Sequence, residues 1–480
     1  MTATQHDEAR PTDVPPATEG AYPRRDNCTF EPLVDGVPAF RRICEAIEAA
    51  TTSVWGTVAF LEHDAPMPDG RGSMFDVLAR AAARGVDVRV IFWRSDVAMP
   101  DEHFPGTEAQ RAWLHEQGFG FTARWDALPG ESCVHQKSWL VDAGTADEVA
   151  FIGGINLDPG STSSDVGHHP DTPHGPNGNI HDIYTEVRGP AGTDVHHNFV
   201  QRWNESTERH SDDGHWPSGA DGGDLPFPTE LSRGAGSLSV QITRTVSPDR
   251  YRNSHPAVGA EPFPIAGGER SVYEQYISAI DVAQHAIYLE DQVIGSPKVV
   301  GHLQRALDRG VHVVFVVPGR CHTGFHAARL QAADSPFMQL FDAFDEYTNF
   351  TLAALSAQRP DGTYDETYIH SKLMIVDDVW ATIGSTNTAT QSFRLDTELN
   401  ASCWHPETAK SLRVELFREH LDDDTDVLGP VEAAEHFAAT AQSNRQRREL
   451  GQPLVGLAHR IEASAYGYDQ PMEWIRSMQP

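Results

Sequence analysis

Lysine is almost missing from this chain. Four lysines (Lys137, Lys298, Lys372 and Lys410) serve 480 residues, and the other 33 of the 37 basic residues are arginine. Positive charge is short overall: 69 acidic residues leave a formal net charge of -32. Such a body repels phosphate backbones and anionic headgroups at long range, so no nucleic-acid partner is expected, although a local basic pocket is compatible with it. No apolar run approaches the roughly 18 residues that cross a bilayer, and the longest candidate, near Val311–Pro318, is strand-length. The first twenty residues have neither a basic start nor an apolar stretch, so no secretory leader is read and a cytoplasmic location is expected. The five cysteines are odd in number, scattered and without a C-x-x-C pair, which points to reduced thiols instead of a disulfide framework or zinc ribbon.

What is present reads as alternating helix and strand, enough for two or three domains. Residues 1–25 are polar, acidic and proline-rich and are expected to be a disordered tail. Beyond them the order repeats. ARGVDVRVIF and DRGVHVVFVV correspond at an offset of 225 residues, and IEAATTSVW and IDVAQHAIY at 233. Each copy reads helix, strand, helix, glycine stop (Gly85 or Gly310) and strand, so one α/β unit occurs twice. The Gly/Pro/Ser/Asp-rich stretch 211–237 reads as the linker between copies spanning 26–210 and 238–430. Residues 431–480 read as a helical extension with no assigned role.

Each copy carries the same chemistry-bearing pattern, H-x-K-x-x-x-x-D. The first has His135, Lys137 and Asp142 in CVHQKSWLVD, and the second has His370, Lys372 and Asp377 in YIHSKLMIVD. Composition alone would give about 0.03 matches, whereas two occur, 235 residues apart, using half of all the lysines. On a strand, residues i and i+2 share a face, so each histidine projects with its lysine. The aspartates have opposite parity at the strand ends and are expected to anchor structure. Each return strand ends in a glycine turn and an asparagine, Gly153-Gly154-Ile155-Asn156 or Gly384-Ser385-Thr386-Asn387, expected to offer donors to an anion.

The paired motifs followed by G-[GS]-x-N resemble the phospholipase D superfamily, over about residues 35–425. The segments Gly178–Glu205, Ile287–Ile294 and Ser411–Leu421 are similar to those of eukaryotic-type phospholipases D. In one departure, ten residues separate Asp142 from Gly153 where six separate Asp377 from Gly384. The resemblance implies two α/β/α sandwich lobes about a pseudo-twofold axis, with the active site at their interface and no metal or other cofactor. It implies that His135 attacks phosphorus, that His370 acts as acid and base, and that Lys137, Lys372, Asn156 and Asn387, with Gly154 and Ser385, bind the phosphate. Asp182 and Glu398 match the carboxylates that orient the imidazoles. The implied substrate is a glycerophospholipid whose headgroup ester is hydrolysed or exchanged with water or a small alcohol as acceptor. Peripheral contact with a membrane fits this, and a monomer holds both motifs. A cardiolipin- or phosphatidylserine-synthase-like phosphatidyltransferase, a superfamily nuclease and a degenerate anion sensor are the rival readings.

His168, His169, His174 and His181 cluster near Asp165 and Asp182, but their spacing fits no closed metal site, and a polar insertion is expected there. His322 and His326 read as surface histidines on a helix, with the pocket rim as the rival. Phe337, Phe341, Phe344 and Tyr347 read as core. Asp422–Asp426 reads as a solvated helix end.

Overall fold

The computed structural model describes residues 12–95, 104, 106–128, 132–163, 165, 168, 179–207 and 223–471. In the first half the strands are β1 (Arg25–Val34), β2 (Ser53–Val58), β3 (Asp87–Trp93), β4 (Thr122–Asp126), β5 (Ser138–Val141), β6 (Val149–Gly153), β7 (Asn179–His181) and β8 (Ile183–Arg188). Next come β9 (Leu238–Val246), β10 (Glu269–Arg270), β11 (Ala286–Glu290), β12 (Ile294–Gly295), β13 (His312–Val316) and β14 (Phe350–Gln358). The last are β15 (Tyr364–Ile369), β16 (Leu373–Val376), β17 (Trp380–Gly384), β18 (Thr388–Ala389), β19 (Glu398–Trp404) and β20 (Ala458–Ile461).

The strand order shows the duplication directly. The first sheet runs β4-β3-β2-β5-β6-β8-β1. The second runs β14-β13-β11-β16-β17-β19-β9, the same order position by position. In both, the first three strands are parallel and the motif hairpin is antiparallel to its neighbours. The helices before the parallel strands end at Gly85 (φ 87°) and Gly310 (φ 89°), left-handed positions that only glycine takes without strain.

Each sheet is covered on both faces, because its strands are buried on both sides. Helices Gly36–Ala49 and Met74–Ala83 cover the outer face of the first sheet through Phe40, Ile43, Ile47, Phe75 and Leu78. Helices Ser271–Val282 and Pro297–Asp308 do the same for the second through Tyr276, Ile280, Val300 and Leu303. A shared core lies between the lobes, where Val195, Phe199 and Trp203 of helix Pro190–Asn204 meet Leu416 and Phe417 of helix Pro406–Leu421 and Phe437 of helix Pro430–Glu449. Two strand pairs bind the halves further: β1 to β9 and, in parallel, β7 to β15.

Three boundaries differ from the sequence reading. Residues 12–25 are not a free tail: Val14 is 1% exposed, its carbonyl accepts from Trp404 Nε1 (2.6 Å), and Gln241 Nε2 donates to the Ala17 and Tyr22 carbonyls. Hydrogen bonds to the folded body outweigh the polar composition that suggested disorder; residues 1–11 lie outside the described residues. The described part of the linker packs on the first lobe, with Leu225 N donating to Asn204 (2.7 Å) and Ser232 N to Thr193 (2.8 Å). The segment after 430 belongs to the second lobe, because β20 extends its sheet beside β14.

Candidate active site

The two H-x-K strands meet at the junction of the lobes, and what meets there is set by backbone pairing. His135 N donates to the Thr397 carbonyl (2.9 Å) of the opposite lobe, one residue before Glu398. His370 N donates to the His181 carbonyl (2.8 Å), one residue before Asp182. The carboxylates are therefore exchanged. His135 Nδ1 lies 3.0 Å from both oxygens of Glu398, and His370 Nδ1 lies 2.5 Å from Asp182 Oδ2. Each imidazole is oriented by an acid from the other half of the chain.

An Nδ1 proton held by a carboxylate leaves Nε2 as the free lone pair. Burial pushes both histidines well below their usual range, and the charges of Lys137 and Lys372 push both further. The rings are thus neutral. The charges of both lysines thus reach both rings. Lys137 is 3% exposed and Lys372 fully buried; each Nζ donates to the carbonyl of its own motif histidine, Lys137 at 3.0 Å. Burial, then the Lys372 charge, lowers Lys137 to about 8. Burial raises Glu398 to about 8 and Asp182 to about 7, against the pull of the lysines. Two buried cations with no full counter-charge between them form a site primed for an anion.

Asp142 and Asp377 point away from this centre. Asp142 accepts from the backbone N–H groups of Thr51 (2.9 Å), Thr52 (2.7 Å) and Ser53 (3.2 Å), and Asp377 from those of Gln284 (2.8 Å), His285 (2.8 Å) and Ala286 (2.7 Å). Each fixes the start of the strand beside its motif. Asn156 is buried, and its Oδ1 has no hydrogen-bond partner among the described residues; Asn387 Oδ1 accepts from Gln292 (3.1 Å).

Gly154 and Ser385 depart from the expected phosphate contacts. Gly154 N donates to the Ile183 carbonyl (3.0 Å) and Ser385 N to the Leu399 carbonyl (3.0 Å), because the chain pairs on with the sheet instead of opening a helix. The Ser385 hydroxyl donates to Glu398 Oε2 (2.6 Å), so it steadies the acid beside His135. Gly154 is small for a reason: a Cβ there would lie 2.4 Å from Asp182 Oδ1.

Other neighbours had no signal in the spacing. Phe60 faces His135 (5.9 Å between centroids) and lies 5.7 Å from Lys137 Nζ. With Trp93, Leu128 and Val134 it forms an apolar wall. His322, read above as a surface residue, is half-buried, and its pKa is lowered by burial and by Lys372. Proximity to Lys372 places it at the rim of the site. His326 instead contacts the Gly467 carbonyl (2.8 Å). His168 and His181 are buried together elsewhere, as described below, and His169 and His174 lie outside the described residues. Phe341 and Phe344 are core, as their spacing suggests.

A duplicated α/β/α fold with a histidine–lysine motif in each half defines a two-motif scaffold. The family model "Cardiolipin synthase, PLD-like domain" matches residues 43–167 and 276–420, and "Phospholipase D" matches 165–315. The chain belongs to the phospholipase D superfamily. It is 26% identical over 443 residues to phospholipase D A of Dictyostelium discoideum, covering 76% of this chain and 32% of that protein. It is 23% identical to phospholipase D alpha 4 of Arabidopsis thaliana (83% and 67% covered) and to a cardiolipin synthase of Listeria monocytogenes (82% and 69%). The chain thus spans about a third of the Dictyostelium relative. A phosphatidylserine synthase structure from Haemophilus influenzae Rd KW20 shares the fold, with a TM-score of 0.52 at 12% identity, covering 88% of this chain and 94% of that one.

Proposed function

We propose that this protein is a phospholipase D-type phosphodiesterase and transphosphatidylase acting on the headgroup ester of glycerophospholipids. The observation carrying this is the exchange of carboxylates, which sets two imidazoles, each with Nδ1 held by an acid from the other half of the chain, beside two buried ammonium groups. His135 Nε2 attacks phosphorus while the P–O bond to the headgroup breaks, and His370, which must first take up a proton from solvent at Nε2, delivers it to the departing oxygen. His370 then removes a proton from water or a small alcohol, whose oxygen displaces His135 and releases phosphatidic acid or a new phosphatidyl ester. Lys137, Lys372, Asn156 and Asn387 hold the non-bridging oxygens and offset their developing charge. Assigning attack to His135 follows the family resemblance; the geometry serves either direction. Glycerophospholipid fits the apolar wall of Phe60, Trp93 and Leu128, and peripheral contact with a lipid surface would suffice, since no described helix is long and apolar enough to cross a membrane.

The test is incubation with phosphatidylcholine vesicles and ethanol, with phosphatidylglycerol, and with single-stranded DNA. Phosphatidylethanol formation, lost in both His135→Ala and His370→Ala, is expected. Cardiolipin formed from phosphatidylglycerol alone would favour the synthase reading, and DNA cleavage alone would overturn the lipid assignment. Substantial turnover in either histidine variant would remove the two-histidine scheme.

A further inference from the structure

A second buried cluster lies one residue from Asp182. His168 Nε2 and His181 Nδ1 face each other at 3.2 Å. His168 Nε2 is 3.2 Å from Asp35 Oδ2 and 3.1 Å from Glu419 Oε1. His181 Nδ1 is 3.0 Å from Asp35 Oδ1 and 3.5 Å from Glu419 Oε1. All four side chains are at most 1% exposed, and their donor atoms lie within 4.8 Å of one another.

Protons alone serve this arrangement badly. A hydrogen bond joins two atoms along a line, whereas here each of two ring nitrogens faces the other and both acids at once. Two charged imidazoles would aim N–H groups at each other across the 3.2 Å gap. Beyond the imidazole contacts just given, neither oxygen of Glu419 nor Asp35 Oδ2 has a well-aligned hydrogen bond among the described residues, so two buried acids depend on the same two rings for their counter-charge. Asp35 is also held at φ 65° and ψ 165° at the start of helix Gly36–Ala49, with its carboxylate turned from the helix cap towards the cluster.

A tetrahedral ion with bonds of about 2.0–2.1 Å separates its ligand atoms by about 3.3–3.4 Å; the five separations that involve a ring nitrogen, with both oxygens of Asp35 among the partners, run from 3.0 to 3.5 Å, and the donor atoms of all four residues lie within 4.8 Å of one another. The remaining ring nitrogens are engaged as they are around metal-bound histidines. His168 Nδ1 contacts Asn179 Oδ1, and His181 Nε2 lies 3.1 Å from Glu290 Oε2. Glu290 is itself held by His420 Nε2 (3.0 Å), the Tyr288 hydroxyl (2.5 Å) and the Ser371 hydroxyl (2.5 Å).

We propose that Asp35, His168, His181 and Glu419 form a closed structural site for a zinc-type divalent ion. Two nitrogens and two carboxylates suit zinc, whereas calcium takes six to eight oxygens. Glu419 comes from the second lobe and the other three from the first, so the ion clamps the halves together. Asp35 N also donates to the Asp182 carbonyl (2.8 Å), and Asp182 N to Asp35 Oδ1 (3.3 Å), which ties the clamp to the acid that orients His370.

The experiment is elemental analysis of the full chain, purified without a polyhistidine tag or chelator, followed by exchange into cobalt(II). About one equivalent of metal, and intense cobalt bands at about 500–650 nm, are expected for a tetrahedral N/O site. Glu419→Gln and His168→Ala should each weaken affinity at least about tenfold, whereas His135→Ala keeps full occupancy because it lies outside the cluster. Less than about a tenth of an equivalent as isolated, with no cobalt band on wild-type protein, overturns the site. So does binding that both cluster variants leave unchanged. The wild-type cobalt spectrum decides if the variants do not fold. Because the readout is metal content, failure of the lipid activity leaves this result separately legible.

Discussion

Replacing Glu398 by glutamine should nearly extinguish activity while leaving the fold as stable or more so. The substitution keeps the shape of a side chain whose two oxygens lie 3.0 Å from His135 Nδ1 and removes its capacity to become a carboxylate as His135 charges. During attack His135 gains positive charge, which the carboxylate offsets. At about 4 Å and an effective dielectric of about 20, that interaction is worth about 4 kcal/mol, or about three orders of magnitude in rate. The amide must also face the Ser385 hydroxyl, which donates to the present carboxylate at 2.6 Å and would compete for the remaining oxygen. The sign for stability is opposite. Burial raises Glu398 from the ordinary 4.5 of a glutamate to about 8, so folding favours its neutral form, and ionisation costs stability as pH rises from 4.5 through about 8. A permanently neutral glutamine escapes that cost. The assay is kcat for phosphatidylethanol formation together with Tm at pH 7.5. A kcat within about threefold of wild type would refute the oriented-imidazole argument, and a large fall in Tm would show that the pair serves the fold instead.

Lys137, lowered to about 8 by burial and the Lys372 charge, must be charged to hold a phosphodiester, so kcat/KM should fall about tenfold per pH unit above an apparent pKa near 8; a plateau reaching pH 9.5 would contradict this. The attacking imidazole of His135, lowered by burial and the lysine charges, should keep the acid limb of the profile below the usual histidine range, near pH 6.5. Asp377→Ala strands three backbone N–H groups and should cost about 2–4 kcal/mol, read as a lower urea midpoint with an unchanged slope. Gly154→Ala drives a methyl group against Asp182 Oδ1 and should cut kcat about 100-fold with little change in Tm. Equal loss of Tm and activity would mean that the backbone, not the acid, had moved.

The sequence carried the chemistry further than the connectivity. Two identical motifs in a lysine-poor chain exposed His135, Lys137, His370 and Lys372, and the shared helix-glycine-strand order exposed the duplicated lobes. That Glu398 serves His135 and Asp182 serves His370 was not visible, because partners 263 and 188 residues apart leave no periodic trace. The cluster of Asp35, His168, His181 and Glu419 was hidden for the same reason: the histidines were in view, but their acids come from a helix start and a helix end far along the chain. Composition misled at residues 12–25, where few apolar anchors and well-placed carbonyls suffice to hold a polar segment down. Motif grammar misled at Gly154 and Ser385, whose amides are spent on the sheet.

The reciprocal loan of acids has an evolutionary corollary. A half-length ancestor with one motif could have worked only by embracing a twin, each lending its carboxylate across the seam. Once fused, the copies became mutual hostages: a shift of one lobe disarms both rings at once. Yet fusion also let the loans differ, an aspartate at 2.5 Å on one side and a glutamate at 3.0 Å on the other. Twins cannot divide attacker from proton carrier by inheritance, but siblings in a single polypeptide can.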